Sequence, residues 1–564
     1  MNDPTQKYTL TIVDTTGIQE YIFGSNSLRH NVGASWLVHW ATNDAVFTEL
    51  VALEGRVKTN IDEMGHIYDS RQIESRQISS ELLYAGGGNA LLIFQTHALA
   101  VEFTKRLTNR VLVTAPGLQL VVTHHQINWH QDTLANQVDY LRTLANQKKS
   151  NRRHSMPLLG LSVTADCQYS GLPAVMIDVR DENRRVSAAV KAKIDHFPAA
   201  DRRLRNEVGA ARRADLEFAY DFNQIGTPDQ SSYLAVVHID GNGMGARFEG
   251  IAATHQSPMQ NRAYVEAIRR LSSRIKTIAR EALQNTVVEL QHAVTIEKKQ
   301  ENTEGKGQAL IADKVPIHQN RLPFRPIVYG GDDVTFVCDG RLGLTLAAFY
   351  LQQMEQSLAT TGDAMGKDIL YVRAGIAVVN NHYPFARSYK LAEDLAQSAK
   401  QFITSVAPAK TVSALDWHFA VNGLAQDLAE LRQRDYRTHD GSLLIRPLLL
   451  HDYEDLPGPE GPATSWRTWP FFRDMTENFL ENQAWGDRRS KAKAYGAALR
   501  AGPPAAQQFL KAFLPSDIYL PTPPGEPDVA TCGWQRGERC VHFDAIEAMD
   551  FFVPLLATSE GGNS

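Results

Sequence analysis

The stretch that most constrains this chain is Val328-Tyr-Gly-Gly-Asp-Asp-Val-Thr-Phe-Val337. A short apolar run enters it and a β-rich apolar run leaves it. Between them stand Gly330, Gly331, Asp332 and Asp333. Two glycines between β-formers predict a tight hairpin turn, because glycine accepts the positive φ that such turns need. Two acids at that tip project from one end of the hairpin, close enough to share a divalent cation. Carboxylate oxygens are the hard ligands that Mg²⁺ prefers. Taken alone, the tetrad is turn chemistry and nothing more.

A second stretch changes that balance. Tyr233-Leu-Ala-Val-Val-His-Ile-Asp240 is a mostly apolar run ending in an acid, followed by Gly241-Asn-Gly-Met-Gly245. The pattern predicts a buried strand with a carboxylate at its exit. An acid there is expensive unless a cation or hydrogen bonds compensate it. If this strand pairs beside the hairpin, Asp240 faces Asp332 and Asp333. Three carboxylates then surround one or two Mg²⁺ ions, an arrangement suited to in-line phosphoryl or nucleotidyl transfer.

These stretches, with the later Gly375-Ile-Ala-Val-Val and His382-Tyr-Pro384, resemble the palm domain shared by GGDEF cyclases and nucleic-acid polymerases. The chain is most similar to the large polymerase-like subunit of type III CRISPR effector complexes. Gly17-Ile-Gln-Glu-Tyr-Ile-Phe23 and Leu28-Arg-His-Asn-Val-Gly-Ala-Ser35 look like the opening of that family's first palm. The resemblance covers most of residues 8–420 and thins beyond.

Composition sets outer limits. A chain of 564 residues holds several domains, and 43% hydrophobic with 21% charged residues is ordinary for a globular protein. The net charge of −5 argues against wholesale coating of nucleic acid, while leaving room for a local basic groove. The first residues carry no apolar signal core, and no apolar run approaches membrane-spanning length. Four cysteines are no disulfide framework, so a cytoplasmic location without membrane contact is expected.

Taken in order, residues 8–14 predict a strand ending in Asp14. Glu81 to Phe94 predicts a hairpin with a glycine tip. Set against the central stretch, Gly86 and Gly87 fall on Gly330 and Gly331, and Gly88 and Asn89 fall on Asp332 and Asp333. This is an internal repeat with the hairpin acids removed from its first copy, so no metal centre is expected there. The fold class is therefore α+β, with two ferredoxin-like βααββαβ palms, the second carrying Gly-Gly-Asp-Asp, and a helical C-terminal region. The expected domains are a degenerate first palm over 1–147, a linking region over 148–231, the second palm over 232–412, and a mainly helical region over 413–564.

In the linking region, Cys167 and Ser170 stand where the resembled family often carries a zinc-binding Cys-x-x-Cys, so a metal-free remnant is expected. Residues 184–213 are rich in Arg and Lys, which suits either a solvated helix face or a phosphate-contacting surface. Tyr264 to Leu290 has helical spacing. Glu297 to Asn320 is polar and predicts a mobile insertion. Leu342–Leu358 and Phe385–Phe402 predict helices. The resemblance places a triphosphate-binding lysine near the end of the second, at Lys400. His451-Asp452 has no companion ligands that would make an HD metal pair. Full-length members of the resembled family often start with an HD nuclease domain, whereas here the first palm begins almost at once.

The expected activity is Mg²⁺- or Mn²⁺-dependent nucleotidyl transfer or cyclisation, with ATP or another NTP as substrate. Asp240, Asp332 and Asp333 are the expected catalytic and metal residues. Gly241, Asn242, Gly243, Gly330, Gly331 and Lys400 are the expected nucleotide-binding residues, the glycines allowing close backbone approach to phosphate. The resemblance implies a 3′–5′-linked cyclic (oligo)nucleotide signal in antiviral defence, with guide or target RNA and other CRISPR subunits as partners. The first palm would supply the wall for a second nucleotide that GGDEF enzymes obtain by dimerising. One departure counts against turnover: where the family commonly has a second acid, this chain has Asn242. The alternative is a subunit that binds nucleotide or RNA as a scaffold without turnover.

Overall fold

The computed structural model describes residues 6–555, except 54–57, 63, 152–162, 210–212, 214, 227–231, 297–307, 356–368, 410, 421–426, 455, 461–463, 482–484, 486–488, 515–519 and 536–537. The protein is mixed α/β and divides into two compact units. One comprises Met1–Glu207 and Gly243–Thr277, the other Val208–Asn242 and Ile278–Ser564.

The first unit is built on β1 (Lys7–Thr16), α1 (Leu28–Thr42), β2 (Ser80–Gly86), β3 (Asn89–Phe94), α2 (His97–Thr114), β4 (Gln119–Asn128) and α3 (Leu134–Ser150). Its sheet has the order β2-β3-β1-β4, antiparallel throughout. Tyr8, Leu10 and Ile12 of β1 pack with Leu91 and Ile93 of β3 and with Leu134, Val138 and Leu141 of α3. Their period of two on the strands and three to four on the helix joins a sheet face to a helix stripe. The β2–β3 tip is the tight turn expected: Gly87 and Gly88 alone separate the strands, with φ of 60° and 77°, as a two-residue turn with two positive φ angles requires.

Further along lie β5 (Ala174–Asp178), β6 (Arg184–Ser187), α4 (Ala188–Val208), α5 (Met244–Thr254) and α6 (Asn261–His292), the last continuing into the second unit. Cys167 is buried beside Val186 and Val190, and all four cysteines are free. Several cations of the basic run are paired or buried. Arg184 bridges to Glu182 at 2.8 Å, Arg205 to Asp201 at 2.8 Å, and Lys191 to Asp195. Lys193 lies buried 4.3 Å over the Tyr21 ring.

Helix α6 is fixed to β2 by three cations seven residues apart, a spacing that puts them on one helix face. Arg262 and Arg269 both hold Glu81, at 2.7 and 2.8 Å, and Lys276 donates to the Ala85 carbonyl at 2.6 Å. Glu81 is wholly buried, so two guanidiniums are what let its charge stand inside the fold.

The second unit is built on β7 (Tyr233–Gly241), β8 (Phe324–Val328), β9 (Val334–Asp339), α7 (Gly343–Glu355), β10 (Val372–Asn380), α8 (Phe385–Val406), β11 (Ala414–Ala420) and β12 (Leu448–Leu449). The sheet order is β8-β9-β7-β10-β11-β12. The first four strands are mutually antiparallel and repeat the order of the first unit's sheet; β11 runs parallel to β10. Residues 234–239 of β7 are buried on both faces, which explains why the run is almost continuously apolar. Two glycines let the covering helices approach. A Cβ on Gly343 of α7 would stand 2.3 Å from the Ala235 Cβ, and one on Gly375 of β10 would stand 1.9 Å from the Ala392 carbonyl oxygen of α8. Side chains alternate across a sheet, and Gly375 is paired with His238. Helix α8 therefore covers the face carrying His238 and Asp240, and α7 the face carrying Ala235 and Val237.

The Gly-Gly-Asp-Asp connection differs from the tight turn its glycines predict. Strand β8 ends at Val328 and β9 starts at Val334, so five residues, 329–333, bridge them. Gly330 has φ of 95°, whereas a Cβ on Gly331 would meet nothing within 4 Å. A bulge between Pro326 and Val328 shifts the register by one residue, and the last pair before the connection is Val328 with Thr335. The stretch Glu297 to Asn320, expected to be a mobile insertion, contains two strands, Ala309–Ile311 and Val315–Pro316, which form a three-stranded sheet with Val294–Ile296 just before it; 297–307 lie outside the described residues. Beyond residue 413, helices Leu428–Asp435, Trp469–Glu481, Arg489–Arg500 and Pro503–Phe513 accompany β11 and β12.

Candidate functional site

The site is built at one end of the second unit's sheet, where β7 leaves, β9 enters and β10 begins. Asp240 is paired in register with Arg373, and Val334 with Ile239, so the Asp332–Asp333 tip adjoins the exit of β7. Arg373 is 8% exposed and Asp240 35%. The guanidinium is fully engaged at its end: Nη2 donates to Asp240 Oδ2, and Nη1 donates to Asn242 Oδ1 at 3.0 Å and to the Gly241 carbonyl at 3.1 Å. A planar guanidinium suits this role because its fixed donors can span three acceptors at once.

Asn242 is 4% exposed and turned into the fold. Its side-chain nitrogen donates to the Val412 carbonyl at 3.0 Å and its backbone N–H to the Tyr371 carbonyl at 2.8 Å. Gly243 follows with φ of 68° as the residue preceding α5, and a Cβ there would meet nothing within 4 Å.

Asp332 and Asp333 carry the electrostatic signature of the site. Desolvation and the charge of Asp240 raise the Asp332 carboxyl above its ordinary range, against a backbone hydrogen bond and Arg373. Asp333 is pushed up to about 8, by desolvation first and then by Asp240, Asp332 and Glu393, with Arg373 opposing. Solvent still reaches 59% of the Asp333 side chain. With the side chain this exposed the desolvation is partial, and the like charges of Asp240, Asp332 and Glu393 push in the same upward direction. His238, two residues inside Asp240 on the same strand, places Nδ1 3.3 Å from Thr335 Oγ1 and 3.5 Å from Asp333 Oδ1. Burial lowers its pKa, with Arg373 adding to the effect and Asp240 and Glu393 opposing it, so the ring is neutral at pH 7. The Tyr389 ring of α8 meets it edge-on at 5.4 Å.

Carboxylates such as Asp240, Asp332 and Asp333 are the donor type that a hard divalent cation takes. Among the described residues, however, no group of three or more His, Cys, Asp or Glu side chains converges to hold a metal ion. Asp240 is drawn to Arg373 and Asp333 faces His238.

Lys400 is the sixteenth residue of α8 and half-buried. In the first unit, the helix after the closing strand is α3, and its sixteenth residue is Lys149. Lys149 pairs with Asp14 at 2.5 Å, and Asp14 stands opposite Asn89 in register. A lysine at this helix position therefore reaches the strand-end acid in the first unit. In the second unit Asp240 is held by Arg373 instead, a residue the sequence reading passed over. The signal was available: Arg373 is the lone cation in Ile369-Leu-Tyr-Val-Arg-Ala-Gly-Ile-Ala-Val-Val379, and a cation in a buried strand needs an acid opposite. His451 is held 3.2 Å from Glu355, outside this site.

Residues 233–404 match the model of the Cas10/Cmr2 second palm domain. The chain carries a Cas10-like palm domain. Solved structures agree on the fold. A chain of a Csm1-Csm4 cassette in complex with pppApApA superposes with a TM-score of 0.51 at 12% identity, over 97% of this chain and 70% of that one. The cassette in complex with AMPPNP gives 0.50 at 13% identity, over 97% and 69%. Csm1 of T. onnurineus gives 0.50 at 12% identity, over 97% and 70%. No curated protein matches by sequence. No helix among the described residues is long and apolar enough to cross a membrane.

Proposed function

We propose that this chain is a palm-type nucleotidyltransferase that consumes ATP or another NTP and makes a 3′–5′-linked cyclic (oligo)nucleotide. It would act within a type III CRISPR assembly, where guide or target RNA and a Csm4-like subunit are the expected partners. On this reading the two sheets of like order are two ferredoxin-like palms, and the second, bearing Asp240, Asp332 and Asp333, is the active one. The observation that carries the reading is that Asp240, at the exit of one strand, adjoins the Asp332–Asp333 tip, where desolvation first and neighbouring carboxylates second raise both tip acids above their ordinary pKa. Such a cluster is costly without a cation to relieve it.

Asp240, Asp332 and Asp333 would hold Mg²⁺ or Mn²⁺. A cation bound there lowers the pKa of a ribose 3′-hydroxyl and offsets charge on the triphosphate and leaving pyrophosphate. The open space at Gly331 leaves room for phosphate to approach the backbone. Lys400 would bind the triphosphate, its range illustrated by Lys149 on Asp14. The ligands of the solved relatives, AMPPNP in one cassette and pppApApA in another, are of the substrate and intermediate classes this chemistry needs.

A scaffold without turnover is the second reading, and one observation favours it. Arg373 already neutralises Asp240, and Asn242 spends its amide oxygen on the same guanidinium. Incubating the purified protein with Mg²⁺ or Mn²⁺ and labelled ATP separates the two. Pyrophosphate and a 3′–5′-linked product support the enzyme; ATP that is bound and recovered intact supports the scaffold.

A further inference from the structure

The second unit's acidic site contains a cation of its own. Arg373 is rooted in a central strand and buried, and its Nε has no hydrogen-bond partner. The far end of its side chain supplies all the donors described above: one to Asp240 Oδ2, one shared by Asn242 Oδ1 and the Gly241 carbonyl. These acceptors are one oxygen of the strand-end acid, the side-chain oxygen two residues on, and the intervening carbonyl. Such oxygens, gathered at a strand exit, are also what a hard divalent cation takes as ligands.

We propose that Arg373 occupies the place of a second divalent cation, so that this palm takes a single Mg²⁺ or Mn²⁺, held by Asp240 Oδ1, Asp332 and Asp333. The inference rests on the proposed function and deepens it by fixing the number of ions. With Asp240, Asp332 and Asp333 ionised on a cation, three carboxylates against one guanidinium leave two negative charges, which one divalent cation matches; Glu393 nearby is paired with Lys390 at 2.9 Å. A second ion would meet a guanidinium already seated on its ligands. The sequence supplies the compensation as well. Asn242 presents an oxygen that Arg373 can hold, and its amide nitrogen, which an Asp would lack, binds the Val412 carbonyl. Asn242 and Arg373 thus form one device, in which a neutral amide and a fixed cation replace an acid and a mobile ion. The first unit neutralises its strand-end acid in the same manner, with Lys149 on Asp14. Arg373 acts here as a positioning residue: it holds the ligand Asp240 rather than touching substrate.

The test counts bound Mn²⁺ on the full chain, by electron paramagnetic resonance of the free ion during titration, without nucleotide. The wild type and D332N/D333N are compared, and the difference gives the ions held at this centre. The proposal predicts a difference of one. N242D/R373Q restores an acid and removes the guanidinium, and it should take one ion more than the wild type. A difference of two in the wild type overturns the proposal and leaves nucleotidyl transfer standing. So does an N242D/R373Q protein that folds and gains no ion. If the wild type and D332N/D333N bind equally, the metal-dependent reading falls together with this inference. Should N242D/R373Q fail to fold, the wild-type difference decides alone.

Discussion

Replacing Asp333 by Asn should stabilise the metal-free protein, and more so as pH rises. The folded carboxyl sits at about 8 against an ordinary value of 3.8. A carboxyl whose folded pKa is raised favours the folded state while protonated, and that contribution is lost as pH climbs from about 4 to about 8. A difference of roughly four in pKa corresponds to about 5–6 kcal/mol if nothing screens it. Solvent reaches 59% of this side chain, and screening leaves about 1–2 kcal/mol. The assay is urea denaturation in EDTA at pH 5 and pH 8, followed by fluorescence of tryptophans that include Trp417, buried in β11 of the same sheet. The amide of the Asp333→Asn variant cannot ionise, so the variant should exceed the wild type by about 1–2 kcal/mol at pH 8 and by less at pH 5. Adding Mg²⁺ at pH 8 should close the gap, because only the wild type has the full set of charges for the cation to relieve. A variant less stable than the wild type at pH 8, or a gap unchanged between the two pH values, refutes the claim that like-charge crowding raises Asp333.

Three further predictions concern the scaffold. Gly375→Ala places a Cβ 1.9 Å from one α8 backbone atom and 2.4 Å from another, so α8 must move; a loss of about 1–3 kcal/mol or more is expected, with weaker ATP binding through displaced Lys400, measured by thermal melting and calorimetric titration. Gly331→Ala, with open space around it, should leave the melting temperature unchanged. Arg262→Met removes one of two guanidiniums from the buried Glu81; with Arg269 still in place the cost is about 2–3 kcal/mol, read as a lower urea midpoint for the first unit.

The parts of the fold that rest on periodicity were legible in the sequence. The apolar run before Asp240, the helical spacing from Tyr264 and the amphipathic stretch from Phe385 all form the expected elements, observed as Tyr233–Gly241, Asn261–His292 and Phe385–Val406. Local chemistry also announced the first glycine tip, because Gly87 and Gly88 need positive φ. The second tip departs from the first although both carry a glycine pair: the last strand pair is Val328 with Thr335, and five residues, 329–333, bridge the strands. The Arg373–Asp240 pair was missed because it depends on register between strands 133 residues apart, which no local pattern encodes. Asn242 was noticed as a missing acid, but its bonds to Tyr371, Val412 and Arg373 are products of the assembled sheet. Likewise, the seven-residue spacing of Arg262, Arg269 and Lys276 was visible, whereas their common target on β2 was not.

The measurement that tests the central claim most directly is pyrophosphate release from labelled ATP with Mn²⁺, comparing the wild type with Asp332→Ala/Asp333→Ala. Both proteins are first shown to share one circular dichroism spectrum and melting profile. The account predicts release and a 3′–5′-linked product from the wild type, and a loss of about a thousandfold or more in the double variant, the order expected when charge stabilisation of the transferring phosphoryl group is removed. Equal rates from the two proteins would contradict it.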